Sequence, residues 1–345
     1  MPSATTSASP SPWLFAHWEG DLRLCLSVLS AAALLALPST LHAQGELGDF
    51  GSASLVDQGL VDPPASGACD GQGRTGWMLR ETILGVTNTL AGVVSTRVGY
   101  CRPLVRSDSI LFMLSEVEAG FYNFTTPSFT RQGAYVRLVP LSFLVFNVSV
   151  VGVYYWPLPE FRVAAYWDAG SYDLTWPSDG ITNDITVEKE QGGGLNVTAS
   201  VTLRAAITIG RLSAGPVELI VLDNLSMDYW YFPGHDFYYN QRMDSVLARS
   251  EVGLSNTAAL LVGVPLTHQV GLRFGATDSL GYVATAGHLA THQVGGLVMV
   301  PIQTSAARLA ELAPFLRVTT YTHHRTRDLS FAWNFLVGVD LAVRL

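Results

Sequence analysis

From Trp77 to the C-terminus, apolar and polar residues exchange places at nearly every step. Between Leu195 and Gly210 the odd positions are Leu195, Val197, Ala199, Val201, Leu203, Ala205, Ile207 and Ile209. The even positions hold Asn196, Thr198, Ser200, Thr202, Arg204 and Thr208 among them. Successive side chains of a strand point to opposite faces, so this spacing gives one greasy face and one polar face. A 3.6-residue period would scatter the same residues around a helix. Ala134, Val136 and Leu138 repeat the pattern against Tyr135 and Arg137, and Val270, Leu272, Phe274 and Ala276 repeat it against Gly271, Arg273 and Gly275. Leu144, Phe146, Val148, Val150, Tyr154 and Trp156 oppose Asn147 and Ser149. Phe161, Val163, Ala165 and Trp167 make a shorter run. At the end of the chain every odd position from Leu329 to Leu345 is apolar, against Ser330, Asn334, Asp340 and Arg344.

Two architectures make such alternation: a sandwich around a dry core, or a barrel with lipid outside and polar groups inside. Sandwich strands run about 5–6 residues, whereas membrane-crossing strands need about 9–11. The runs here are longer than either, and aromatics gather at their ends, as in Tyr154-Tyr155-Trp156 and Tyr229-Trp230-Tyr231-Phe232. That placement suits the interfacial girdles of a barrel. Candidate strands begin near residues 78, 93, 110, 130, 143, 160, 195, 215, 244, 268, 290, 313 and 329. Single-chain barrels prefer even strand numbers. The short 160–168 run is the weakest member, so the expectation is an all-β transmembrane antiparallel up-and-down barrel of about 12 strands over residues 77–345. A helical membrane protein competes, because residues 138–159 carry no charge and are long enough to span. Pro140, Pro157, the Val/Phe/Tyr richness and the alternation speak against it.

Composition narrows the class further. Hydrophobic residues make up 48% of the 345 and charged residues only 14%, about half the usual share of a soluble domain. The net charge is -8, which excludes a basic nucleic-acid binder, and the hydropathy excludes general disorder. Lys189 is the only lysine; the other strong bases are arginines.

The first residues read as a processing segment. Leu24–Leu37 is uncharged and precedes Pro38, too short to span a bilayer but of the length of a signal-peptide core. Leu41-His42-Ala43 offers a cleavage site before Gln44, although Leu41 is not small and Glu19 and Asp21 outnumber Arg23. Residues 1–43 are therefore expected to be an export signal, and 44–76, rich in Gly and Asp, a flexible lead-in.

At this point the chain resembles bacterial outer-membrane β-barrel proteins. The resemblance rests on the signal-like start, the amphipathic strands and the terminal run Phe331–Leu345. It implies residence in the bacterial outer membrane, contact with its lipid, and recognition of the last strand by the barrel-assembly machinery. The closing Leu345 departs from the aromatic that usually ends such chains. The resemblance reaches no subfamily, so no functional residue is carried over.

Candidate chemistry is sparse. Gly71–Gly76 spells G-x-G-x-x-G, but it follows coil and precedes a strand, not a helix, and reads as a linker. His288 and His292 are four apart, about 13 Å on a strand and too far for one metal, and His323 and His324 point to opposite faces. The Gly234-His235-Asp236 loop pairs a base with an acid, as general-base chemistry requires and as many turns do. No G-x-S-x-G nucleophile motif is present. No cofactor and no metal site is expected. Of three cysteines, Cys25 lies in the signal; Cys69 and Cys101 would meet an oxidising compartment and could pair, tethering the lead-in.

Parity places Arg97, Arg137, Arg162, Arg204, Arg249, Arg273, Arg317 and Arg344 on the inward face, with Glu116, Glu118, Glu160, Asp168, Glu218, Glu251 and Asp340. These charges either line a pore that screens solutes or fill the lumen as a salt-bridged network, with long arginines meeting from opposite walls. The expectation is a non-enzymatic barrel, structural or a narrow passive channel. Its rivals are a barrel enzyme such as a lipid hydrolase or protease, a surface adhesion or anchoring barrel, and a secreted sandwich.

Overall fold

Alternation makes the strands, and tight connections bring each beside the next. The computed structural model describes Cys69, residues 75–86, 91–105, 107, 109, 111–126, 129–155, 166–167, 192–233, 237–240, 245–248, 251–284, 287–303, 309–324 and 333–345. All belong to the unit Ala43–Leu345. The proposed signal, nearly all of the lead-in, Leu329, Phe331, the Gly234-His235-Asp236 loop and most of the 170–194 loop lie outside the described residues.

The strands are β1 (Gly76–Val86), β2 (Ala91–Pro103), β3 (Glu116–Thr125), β4 (Phe129–Leu141), β5 (Leu144–Tyr155), β6 (Tyr166–Trp167), β7 (Gly192–Leu212), β8 (Gly215–Tyr231), β9 (Phe237–Asn240), β10 (Ser245–Ala248), β11 (Val252–Pro265), β12 (Gly271–Val283), β13 (His288–Met299), β14 (Ile302–Gln303), β15 (Leu309–His324) and β16 (Trp333–Arg344). Twelve of them pair antiparallel in the order β1-β2-β3-β4-β5-β7-β8-β11-β12-β13-β15-β16. β16 then pairs back onto β1, from Met78 opposite Arg344 to Val86 opposite Leu336, which closes the ring. The chain forms a closed antiparallel up-and-down barrel of twelve strands, and closure leaves no unpaired edge in that ring.

The short run at 160–168 is not a barrel strand. Tyr166 and Trp167 pair with β9, which pairs with β10, in a separate three-stranded sheet. The start expected near 244 moves to Val252 because Ser245–Ala248 belongs to that small sheet, and the start near 110 moves to Glu116 because a turn-containing connection precedes it. The uncharged run at 138–159 is, through residue 155, the end of β4, a tight turn at Ser142 and Phe143, and β5; residues 156–159 lie outside the described residues. No described helix is long and apolar enough to cross a membrane.

Both chain ends of the barrel lie at one mouth, where Leu345 N–H donates to the Trp77 carbonyl. There β7 and β8 meet through the two-residue turn at Ser213 and Ala214, and residues 205–212 of β7 are largely exposed. The long connections after β5 and β8 leave from the opposite mouth. Gly287, at φ 69°, takes the left-handed conformation that the β12–β13 turn needs.

The outer surface is apolar along most strands: Val136, Val148, Val150, Leu225, Leu260 and Val337 are 47–59% exposed. Trp77 and Tyr100 pack edge to face at the terminus-bearing mouth, 5.4 Å between ring centres. Polar exceptions exist. Asn256 donates to Asp223 at 2.7 Å, and Asp278, His292 and Thr322 form a hydrogen-bonded group. The inner surface is not uniformly polar either. Phe124, Phe129, Tyr155 and Phe232 form an aromatic tier, and Ile220, Leu222, Leu261, Leu297 and Leu336 are buried along other strands.

Candidate functional site

The densest chemistry lies on the inner wall of β1–β4. Register sets it. Glu118 stands opposite Cys101 on β2 and Arg137 on β4, and Arg97 stands opposite Arg80 on β1 and Tyr122 on β3. Arg80 Nη1 donates to both Glu118 oxygens, at 2.9 and 2.7 Å. The Tyr135 hydroxyl donates to the same carboxylate. Arg137 pairs with Glu116, both side chains 1% exposed. Like charges directly opposite one another repel, and Arg80 faces Arg97. The two diverge: Arg80 turns to Glu118, and Arg97 lies over the rings of Tyr122 and Tyr135 at 5.2 and 5.5 Å, a favourable cation–π geometry.

Gly99 makes the cluster possible. A Cβ there would lie 2.3 Å from the Tyr135 hydroxyl and 2.7 Å from a Glu118 oxygen. At the terminus-bearing side of the cluster Cys69 and Cys101 form a disulfide with Cα atoms 5.4 Å apart. The Cys69 N–H donates to Glu116, so one carboxylate holds both Arg137 and the tethered lead-in. Cys69, Cys101 and Glu116 are the one group of metal-ligand type among the described residues, and both its sulfurs are consumed by the disulfide.

Toward the loop-bearing mouth, Arg131 lies 5.3 Å from the Trp230 ring and donates to Asn196 at 2.9 Å. Asn196 reaches Asp228, which also accepts from Thr198 at 2.6 Å. At the seam Thr82 donates to Asp340 at 2.5 Å across β1 and β16.

Of the residues expected inside, Arg97, Glu116, Glu118 and Arg137 meet in one cluster. Arg204 is buried apart, donating to the Ser142 carbonyl at 2.9 Å. Arg317 donates to Ser279 at 3.0 Å, and Asp340 sits at the seam. Glu218 is half-buried, with Arg273 its electrostatic partner. Glu251 is half-buried just before β11. Arg344 pairs with Met78 through the backbone. Arg162, Arg249, Glu160 and Asp168 lie outside the described residues. The named ionic contacts run along the wall between strands at most two apart.

The sequence reading left out Arg80, Arg131 and Asp228, all buried. Arg131 shares parity with Arg137, and Asp228 shares it with Asn224 and Ser226, so the same count extended further along β4 and β8 finds them. Arg80 is harder, because Glu81 beside it puts a charge on each face of β1.

No protein-family model matches the chain, and no curated protein does. Solved structures do. The β domain of the Bordetella autotransporter BrkA is similar at 11% identity over 77% of this chain and 98% of that one, TM-score 0.39. OmpT, an outer membrane protein of Vibrio cholerae, is similar at 10% identity over 78% and 97%, TM-score 0.30. OmpF of Salmonella typhi is similar at 7% identity over 80% and 99%, TM-score 0.27. The barrel class of this chain therefore rests on its own closed ring of twelve strands, apolar without and ionic within.

Proposed function

We propose that the protein is a bacterial outer-membrane barrel whose lumen is packed, so that it serves as a structural membrane element or at most a narrow passive path, and that its lumen is not a catalytic centre. The observation that carries this is the burial of charges that face the bore. Arg137 is 0% exposed, and Glu116 and Glu118 are 1% exposed. A water-filled channel wets the charges that line it. Eight strands leave an interior filled by side chains and sixteen to eighteen leave an aqueous channel, so at twelve the lining decides. Here the lining combines wall-bound ion pairs with buried aromatic and aliphatic groups.

The exterior supports a membrane location. All twelve barrel strands have at least 10 residues, enough to cross a bilayer. An apolar outer wall of this extent is costly in water. Planar-bilayer recording of the purified full chain tests the reading. The expected record is little or no steady conductance. A large, ohmic wild-type conductance would move the protein to the open-channel class.

A further inference from the structure

The outer wall carries a second constellation. Thr322, His292 and Asp278 come from β15, β13 and β12, three neighbouring strands, and Thr322 and Asp278 sit at exposed outward positions. The Thr322 hydroxyl lies 2.5 Å from His292 Nδ1. The other ring nitrogen, Nε2, lies 2.8 Å from Asp278 Oδ1. One imidazole thus holds a hydroxyl on one side and a carboxylate on the other. A nucleophile, its base and the group that orients the base stand in this relation.

Two further features set it apart from an ordinary polar patch. The β13–β15 register shifts here: His292 faces His323 and Gln293 faces Tyr321, which leaves Thr322 as the extra residue of a bulge. A bulge re-aims a side chain, and bulges concentrate beside active sites. The β12–β13 pairing shifts as well, at Gly281 and Tyr282. The group also sits two to five residues from the loop-bearing ends of its strands. Below it the same wall is apolar, through Val298, Leu316 and Phe274.

We infer that Thr322, His292 and Asp278 form an acyl-ester hydrolase site on the barrel's outer wall, acting on the fatty acyl esters of membrane lipids. An acyl chain lies along the apolar strip, and its ester reaches the height of the hydroxyl. Thr322 Oγ attacks the acyl carbon while its proton passes to His292 Nδ1. The ester C–O bond breaks as the imidazolium returns that proton to the leaving alcohol oxygen. Water then adds to the acyl-threonine, giving one proton to His292, and the fatty acid leaves as Thr322 regains it. Thr322 and His292 are the catalytic residues. Asp278 is a positioning residue that fixes the tautomer with Nε2–H toward it and Nδ1 free to accept. The inference rests on the membrane placement of the wall and not on the state of the lumen.

The test uses the folded full chain in detergent micelles mixed with dioleoyl phosphatidylcholine or, separately, with an acylated saccharide lipid. Fatty acid release from the first identifies a glycerophospholipid substrate, and release from the second a saccharide ester; either supports the site. Thr322→Val and His292→Asn are expected to lower release at least about 100-fold, while Thr322→Ser retains it. Asp278→Asn is expected to lower kcat with KM little changed. A lipid-like phosphonate ester should label wild-type protein at Thr322, located by mass spectrometry, which keeps the question open to decision even if a variant fails to fold. Equal release by wild type and folded Thr322→Val, or release from neither lipid with Thr322 unlabelled, would overturn the inference.

Discussion

Glu118 carries the heaviest single load inside the barrel. Arg80 gives it two hydrogen bonds and Tyr135 a third. The Arg80 and Glu118 side chains are 7% and 1% exposed, so water cannot replace a lost partner. Removing one member of a buried ion pair costs about 3–5 kcal/mol, chiefly because the survivor remains buried and unpaired. Glu118→Gln keeps one carbonyl oxygen as acceptor, so its cost should fall at the low end, about 3 kcal/mol. That is roughly a hundredfold in the folding equilibrium. Arg80→Met with Glu118→Leu removes both charges together. An apolar replacement of a whole buried pair is often neutral, but Tyr135 loses its acceptor here, at about 1–3 kcal/mol. The double variant should therefore cost less than Glu118→Leu alone. Urea titration of the barrel refolded in vesicles, followed by tryptophan fluorescence and by heat-modifiable gel mobility, measures each change. A double variant whose cost equals the sum of the two single losses would refute the argument, because it would mean that neither charge was buried at the expense of the other.

Further outcomes follow from other parts of the wall. Val339 pairs with outward Ile83, whereas Asn334 is 6% exposed on the inner face; Val339→Arg should cost roughly 2–4 kcal/mol as a lipid-facing charge and Asn334→Ser little, and equal assembly of the two by gel mobility would contradict the facing. Gly99→Ala drives a methyl into the Tyr135 hydroxyl and should cost about 1–3 kcal/mol; a neutral result in the same urea titration would mean that the cluster re-forms elsewhere. Breaking the 32-residue Cys69–Cys101 link by Cys69→Ser should cost about 3–4 kcal/mol, and alkylation before and after reduction should add mass at two cysteines only after reduction.

The fold was legible where one face of a strand was apolar and the other polar. β7 and β16 read directly, because polar even positions such as Thr198 and Asn334 separate apolar odd ones, and the first part of β5 reads the same way with the parity reversed, Asn147 and Ser149 standing between Phe146, Val148 and Val150. The even-strand rule and the shortness of 160–168 together removed the thirteenth strand. Strand ends were less legible: a start near 110 rather than Glu116 reflects apolar Leu111 and Met113, which belong to the connection, and Met113 packs on Leu114 beside Val139 and Val145. Inward charges could be listed by parity, but their partners could not. Pairing depends on register across strands, which places Glu118 within reach of Arg80 two strands away. The outer-wall group was invisible in sequence for the same reason. His292 was visible only through its spacing to His288, on its own strand, while its partners stand on β12 and β15. The apolar tiers inside the barrel were hidden because Val151, Val153 and Tyr155 sit next to equally apolar outward neighbours.

The central claim is that neighbouring residues of one strand face lipid and a packed interior in turn. Leu336 is 1% exposed and Val337 is 59% exposed, one step apart on β16. Each is changed to cysteine singly in the oxidised protein, labelled with a small fluorophore under folding conditions, and reconstituted in vesicles. Two quenchers are then compared, bromine on the lipid acyl chains and iodide in the aqueous phase. The account predicts quenching at 337 by the brominated lipid alone, and neither labelling nor quenching at 336 by either agent. Iodide quenching at 336 would mean a water-filled bore, and iodide quenching at 337 without any effect of the brominated lipid would mean that the barrel does not stand in a membrane.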